Sequence, residues 1–268
     1  MNLASRPWPT ALLVVLFTLM SGCVDVAPGL VNEIEDLERR ALGGDRMAQF
    51  NLGLCYDEGR GVAKNQAEAV KWYKKAAAPG LAVAQYNLAL SYQYGQGVAK
   101  DMVEAVHWFR QAADQGDVEA MNNLGVAYYR GEGVTKDLQK ALKWYHKAAA
   151  LGDVKSEHSI GSLYASGEGL AKDLTEASKW YQKSSDQGYG PAQVSLGVLF
   201  YKGEVVKKDL VEAYALWTVA GTSNEDARQN LLILGKELSS ESKVRGQQRA
   251  KELQKEIAAK VAAKKAGK

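Results

Sequence analysis

The sequence predicts an all-α fold: an α/α solenoid of five 36-residue helix-turn-helix repeats, with an N-terminal half repeat and C-terminal capping helices. Three observations predict it. A ten-residue phrase returns at a fixed interval as "YDEGRGVAKN" (56–65), "YQYGQGVAKD" (92–101), "YYRGEGVTKD" (128–137), "YASGEGLAKD" (164–173) and "FYKGEVVKKD" (200–209). Apolar residues on either side of each phrase keep helical spacing, as Ala48, Leu52 and Tyr56 do before it and Ala69, Trp72, Tyr73 and Ala76 after it. Glycines and capping residues fall at the same points in successive copies, so helix ends repeat along with helix faces.

Taken from the N-terminus, Arg6 precedes the apolar run "ALLVVLFTLM", Ala11 to Met20. Ten helical residues span about 15 Å, half of a hydrocarbon core of roughly 30 Å, which suits a signal-peptide core over residues 1–22 better than a membrane span. The following "LMSGC" ends in Cys23 and resembles the bacterial lipobox, in which that cysteine is lipidated and becomes the mature N-terminus. Met20 stands where leucine is usual, and plain secretion is the alternative. Residues 23–31 then form a tether that keeps the body near the bilayer, and "NEIEDLERRALGG" (32–44) reads as a half repeat.

The repeats themselves are 45–80, 81–116, 117–152, 153–188 and 189–224. In each, Gly59, Gly95, Gly131, Gly167 or Gly203 sits where the first helix ends, in the left-handed conformation that glycine takes without strain. Asn65, Asp101, Asp137, Asp173 and Asp209 sit where the second helix begins, as N-caps. Glu68, Glu104, Glu176 and Glu212 follow three residues later and predict a capping box, which Lys140 breaks in the third repeat. Gly80, Gly116, Gly152 and Gly188 end the second helices, and Asn224, also tolerant of the left-handed region, ends the fifth. Gly53, Gly125, Gly161 and Gly197 leave room for close helix approach, with Ala89 in the second repeat. One buried aromatic removes about 150–250 Å² from water, roughly 4–6 kcal/mol gross, so the recurring aromatic pairs offset much of each repeat's ordering cost.

Residues 225–260 read as two capping helices, the first with Leu231, Leu234 and Leu238 on one stripe, the second with Val244, Leu253, Ile257 and Val261. The basic tail 261–268 is expected to fray.

The glycine-lysine phrase is open to a second reading, because glycine-rich loops before helices cradle phosphates. A phosphate site is needed once, however, and five copies are punctuation. The assembled pattern, A-x-x-N-L-G-x-x-Y-x-x-G-x-G-V-x-K-D-x-x-E-A-x-x-W-Y-x-K-A-A-x-x-G, closely resembles the Sel-one-like repeat (SLR) family, a relative of the tetratricopeptide repeats. The resemblance covers 45–224. The fifth copy departs from it, with Leu216 for the tryptophan, Trp217 for the tyrosine and Val205 for the second glycine. Some secreted, cysteine-rich members of that family carry a disulfide in each repeat and are linked to β-lactam binding. With two cysteines in 268 residues, this chain lacks those pairs, and the resemblance does not extend to that activity.

Charge narrows the partners. Residues 45–224 carry 20 basic and 20 acidic side chains, which argues against a nucleic-acid groove, and only 225–268, with 11 against 6, is basic. No cofactor or metal motif is present: His107, His146 and His158 are scattered without ligand spacing, and Cys55 reads as a small core thiol. By analogy with tetratricopeptide arrays, the first helices line a concave face. Positions there that vary between copies are free for recognition: Phe50, Asp57, Glu58, Tyr86, Tyr94, Asn122, Tyr129, Arg130, His158, Tyr201 and Lys202. Tyrosine and arginine are enriched in binding hot spots, although the same tyrosines can equally pack on the next repeat. The expectation is a monomeric, non-enzymatic scaffold of the bacterial periplasm. It is anchored through Cys23 and binds a protein or an extended peptide. A cell-wall-fragment sensor or envelope hydrolase is the alternative.

Overall fold

The computed structural model describes residues 28–222 and 224–266; Cys23 and the apolar run before it lie outside them. Thirteen helices and no strand occur among the described residues, and no helix there is long and apolar enough to cross a membrane. The chain divides into two compact units after Ala112.

The first unit holds α1 (Pro28–Leu42), α2 (Arg46–Glu58), α3 (Gln66–Ala77), α4 (Ala82–Tyr94) and all but the last two residues of α5 (Met102–Asp114). Its core joins Ala48, Leu52 and Trp72 to Ala41 of α1, and Val70, Tyr73 and Ala76 to Leu88 of α4. Helix α1 begins at Pro28, inside the stretch read as a tether. Proline fits the first helical position, where its missing N–H has no partner to lose, and this shortens the tether.

The second unit holds α6 (Val118–Arg130), α7 (Leu138–Ala150), α8 (Val154–Ser166), α9 (Leu174–Ser185), α10 (Gly190–Lys202), α11 (Leu210–Ala220), α12 (Glu225–Glu237) and α13 (Ser240–Ala266). Tyr145 and Ile160 centre one core cluster, Tyr181, Leu196 and Leu216 a second, and Trp217 and Leu234 a third.

Helix ends follow the glycines. Gly59, Gly95, Gly131, Gly167 and Gly203 all have φ between 69° and 77° and close the first helices. The second glycine of the phrase lies against the preceding repeat: a Cβ on Gly97 would lie 2.1 Å from the Gln66 carbonyl oxygen. The predicted N-caps accept from backbone N–H groups of the second helices, as Asp137 does from Lys140 at 2.9 Å.

The capping box is only half made. The N–H of each N-cap residue donates instead to the carbonyl of the aromatic residue nine positions earlier, as Asp137 does to Tyr128 and Asp209 to Phe200, at 2.9 and 3.0 Å. With that donor already satisfied, Glu68 and Glu176 turn to Lys71 and Lys179.

Four further expectations differ from the structure. Asn224 has φ −126° and caps α12 through Ala227 N–H, so its side-chain acceptor outweighs its left-handed tolerance. Val244 is 64% exposed, because α13 faces the body through Gly246, Ala250 and Leu253. That helix also runs to Ala266 rather than fraying after 260, since Lys260 and Lys264 find partners on the body. Cys55 is half-buried rather than a core thiol, and burial raises its pKa, disfavouring the thiolate.

Candidate functional site

Each first helix presents the same register positions, so the candidate residues sort into rows one repeat apart. The row of Phe50, Tyr86, Asn122 and His158 is consumed by packing. The Phe50 ring lies 5.9 Å from that of Tyr73, and Tyr86 lies 5.9 Å from Phe109. Asn122 donates to Ser156 Oγ at 2.7 Å, joining α6 to α8. His158 Nε2 is 3.1 Å from Ser195 Oγ, with the rings of Tyr181 and Tyr189 at 5.4 and 5.7 Å. Burial pushes His158 down to about 4, so it is neutral at ordinary pH and acts as packing.

The row of Asp57, Tyr129 and Tyr201 is also engaged. Asp57 accepts from Gln66 at 3.2 Å. The Tyr129 hydroxyl donates to Glu168 at 2.9 Å, and that carboxylate also pairs with Lys136 at 2.9 Å, which holds its pKa below the usual range. Tyr201 donates to Glu237 of α12 at 2.7 Å. Tyr129 thus ties its first helix to the repeat that follows, and Tyr201 ties the last first helix to the C-terminal cap.

The next position behaves differently. Glu58, Tyr94, Arg130, Ser166 and Lys202 end the five first helices, and every one is exposed, Tyr94 at 63%. Their ion pairs stay within two residues: Glu58 with Arg60 at 2.6 Å, Arg130 with Glu132 at 3.8 Å and Lys202 with Glu204 at 3.9 Å. None of these pairs joins one repeat to another. Ser166 belongs to this row, and sequence reasoning passed over it because serine carries no binding signature; its register position would have found it.

The second helices carry half-buried tryptophans under lysines, with Lys147 Nζ 3.9 Å from the Trp144 ring centroid and Lys183 5.1 Å from Trp180. His107 and His146 are exposed and lie edge-on to Trp108 and Trp180 at 5.1 and 5.3 Å. No group of three or more His, Cys, Asp or Glu is arranged to hold a metal among the described residues.

One position the sequence left unremarked is chemically unusual. Gln49 and Gln85 each donate to a main-chain carbonyl of the preceding second helix, Ala41 and Ala77, at 3.0 Å. The same register holds Glu157, at 0% exposure, where a carboxylate cannot donate. Lys183 Nζ lies 3.2 Å from one of its oxygens and Gln187 donates to the other at 2.6 Å. Burial raises the Glu157 pKa against the opposing pull of Lys183 and Lys264.

A family model described as Sel1 repeat matches residues 46–80, 82–117, 118–153, 154–189 and 190–224. Among solved structures, c5321, a protective antigen present in uropathogenic Escherichia coli strains and displaying an SLR fold, is 34% identical with a TM-score of 0.74, covering 88% of this chain and 49% of its own. A Sel1 repeat protein from Oxalobacter formigenes is 34% identical with a TM-score of 0.68, covering 83% of this chain and 99% of its own. The DAP3-binding cell death enhancer 1 of Rattus norvegicus is 52% identical over 40 residues, 15% of this chain and 8% of that protein. The chain therefore spans about half the length of the E. coli protein and less than a tenth of the rat one.

Proposed function

The chain belongs to the Sel1 repeat family, and from that premise we propose that it is a non-enzymatic docking scaffold of the bacterial envelope, held at a membrane by a lipid on Cys23. Proteins of this family are generally protein-interaction scaffolds, and the fold is typically non-catalytic. The observation that carries the reading is the row at the ends of the first helices. It is exposed in every repeat and differs in every repeat, as Glu, Tyr, Arg, Ser and Lys. Neighbouring rows are spent on packing and hydrogen bonds within and between repeats, so this one is available to a partner. Exposed tyrosine and arginine supply the contact area and the fixed donors that protein or peptide recognition uses. The rat relative is named for binding a protein, and its match to this chain is about one repeat long, which supports docking as the use of the unit.

The anchor rests on the sequence: a short apolar core followed by "SGC" suits export and lipidation, and several acyl chains at about 0.8 kcal/mol per buried CH₂ hold a protein stably on a bilayer. Two experiments separate the parts. A pull-down from solubilised envelopes compares the wild type with Tyr94→Ala in the first unit and with Arg130→Ala plus Lys202→Ala in the second. Loss of a partner from either supports docking on that unit, and an unchanged set of partners removes the row from the account. Labelling with a lipid precursor tests the anchor, with label expected on the wild type and none on Cys23→Ser; an unlabelled wild type ends the lipoprotein reading.

A further inference from the structure

The last helix divides into two differently held halves. At 27 residues and 1.5 Å per residue, α13 is about 40 Å long and reaches back over the body of the second unit. Its first half is packed: Gly246 lies so close to the Tyr214 ring that a Cβ would come within 2.5 Å, and Ala250 and Leu253 are buried. No described residue after Leu253 is buried. Apart from Ile257, half-buried against the core, that half is held by charge, with Lys260 2.8 Å from Asp186 and Lys264 donating to the Gly152 carbonyl at 3.3 Å and to Gln187. Gln187 is the residue that donates to the buried Glu157, so the latch ends on a fixed carboxylate. Between the half-buried Ile257 and Val261 and the body lies a groove of about 400 Å³, floored by Gly188, Gly190, Gln193, Val219 and Thr222. Gln193 is 1% exposed and its Nε2 has no partner, unlike Gln49 and Gln85 in the same register.

We propose that this groove is a second docking surface, for a basic amphipathic helix of a partner, and that α13 beyond Leu253 keeps the place of that helix until it is displaced. The occupant's chemistry is read from the segment now seated there. Leu253, Ile257 and Val261 supply an apolar residue every four positions, and Lys260 and Lys264 meet Asp186 and the Gln187–Glu157 pair. A partner helix with apolar residues at i, i+4 and i+8 and cations at i+7 and i+11 reproduces those contacts. Exposed ion pairs hold weakly and are screened by salt, so the latched half is the part that yields. This surface is independent of the exposed row at the ends of the first helices.

The test uses the full chain and a fluorescent synthetic peptide copying residues 248–266, followed by anisotropy, with hydrogen exchange of α13 and light scattering on the same samples. The chain carrying Lys260→Glu and Lys264→Glu is expected to exchange faster over 254–266 and to bind the peptide on the order of tenfold more tightly than the wild type, because its own strap no longer competes. A peptide with both lysines changed to glutamate is expected to bind neither chain. Faster exchange with no gain in peptide affinity would overturn the docking surface, and unchanged exchange would overturn the latch. A dimer that forms in the variant chain and is dissolved by the peptide would give the groove to a second copy and overturn the partner in trans.

Discussion

A Cβ built on Gly125 would lie 2.4 Å from Cε1 of Tyr145, so the first helix of the third repeat rests directly against the aromatic ring that its own second helix supplies. The same contact recurs at Gly53 with Tyr73, Gly161 with Tyr181 and Gly197 with Trp217. Gly125→Ala forces the ring aside in a filled core and is expected to destabilise the second unit by about 1–3 kcal/mol. In the second repeat both positions differ, as Ala89 and Phe109. Combining Gly125→Ala with Tyr145→Phe, which frees the ring from its hydroxyl's hydrogen bond with Ser159, is therefore expected to cost less than the sum of the two single changes. Urea denaturation of the four-member cycle measures this, and strict additivity would mean the two residues do not share the contact.

His158 gives the second unit a signature in acid. Its ordinary pKa is 6.5 and burial takes it to about 4, so the folded protein keeps it neutral while the unfolded chain takes up a proton first. Stability from this site is complete above about 6.5 and is lost as the pH falls toward 4, at about 1.4 kcal/mol per pH unit and roughly 3 kcal/mol in all. His158→Asn, which places the residue type of Asn122 in the same register, removes that limb. Urea midpoints measured from pH 7 to pH 4 are expected to fall less in the variant, and parallel curves would contradict the assignment.

Glu157 has the opposite sign. Burial raises its pKa, so folding favours the protonated acid, and the ionised form weighs against the fold increasingly as the pH rises through the folded value. Glu157→Gln restores the donor that Gln49 and Gln85 use. It is expected to raise the thermal midpoint at pH 7 by a few degrees and to leave it nearly unchanged at pH 4. A lower midpoint at pH 7 would show that the contacts with Lys183 and Gln187 outweigh the buried charge.

Adjacent residues on α6 are expected to separate stacking from docking. Tyr129→Phe breaks the bond to Glu168 and should lower the denaturation midpoint while partner capture is retained. Arg130→Ala removes an exposed side chain paired with Glu132 two residues on, and should leave stability within about 0.5 kcal/mol while capture through the second unit falls. Thermal melts and pull-downs on the same two proteins read both effects, and the reverse assignment of losses would invert the roles of the two rows.

Much of this architecture was legible because its punctuation is chemically narrow. A left-handed helix end nearly demands glycine, so Gly59 and its successors announced the period and the end of each first helix. Asn224 misled because asparagine serves both a left-handed end and an N-cap, and the sequence does not say which. The capping box misled because the N–H it needs is taken by a carbonyl nine residues back, a bond set by how the loop closes. Among the candidate residues, a tyrosine that binds and one that stacks look alike in sequence. Tyr129 and Tyr94 were told apart by their partners, Glu168 lying 39 residues away for the first and open solvent covering most of the second. Nothing in a one-dimensional pattern predicts that Lys264 will reach Gly152, 112 residues earlier.

The most direct test of the scaffold is photo-crosslinking in the intact envelope, with a reactive residue placed in turn at Tyr94, Arg130, Ser166 and Lys202. The exposed positions Val103 and Leu151, outside the row, serve as controls. A discrete crosslinked protein is expected from positions in the row and none from the controls. Crosslinks from the controls alone, with the row silent, would contradict docking on the row.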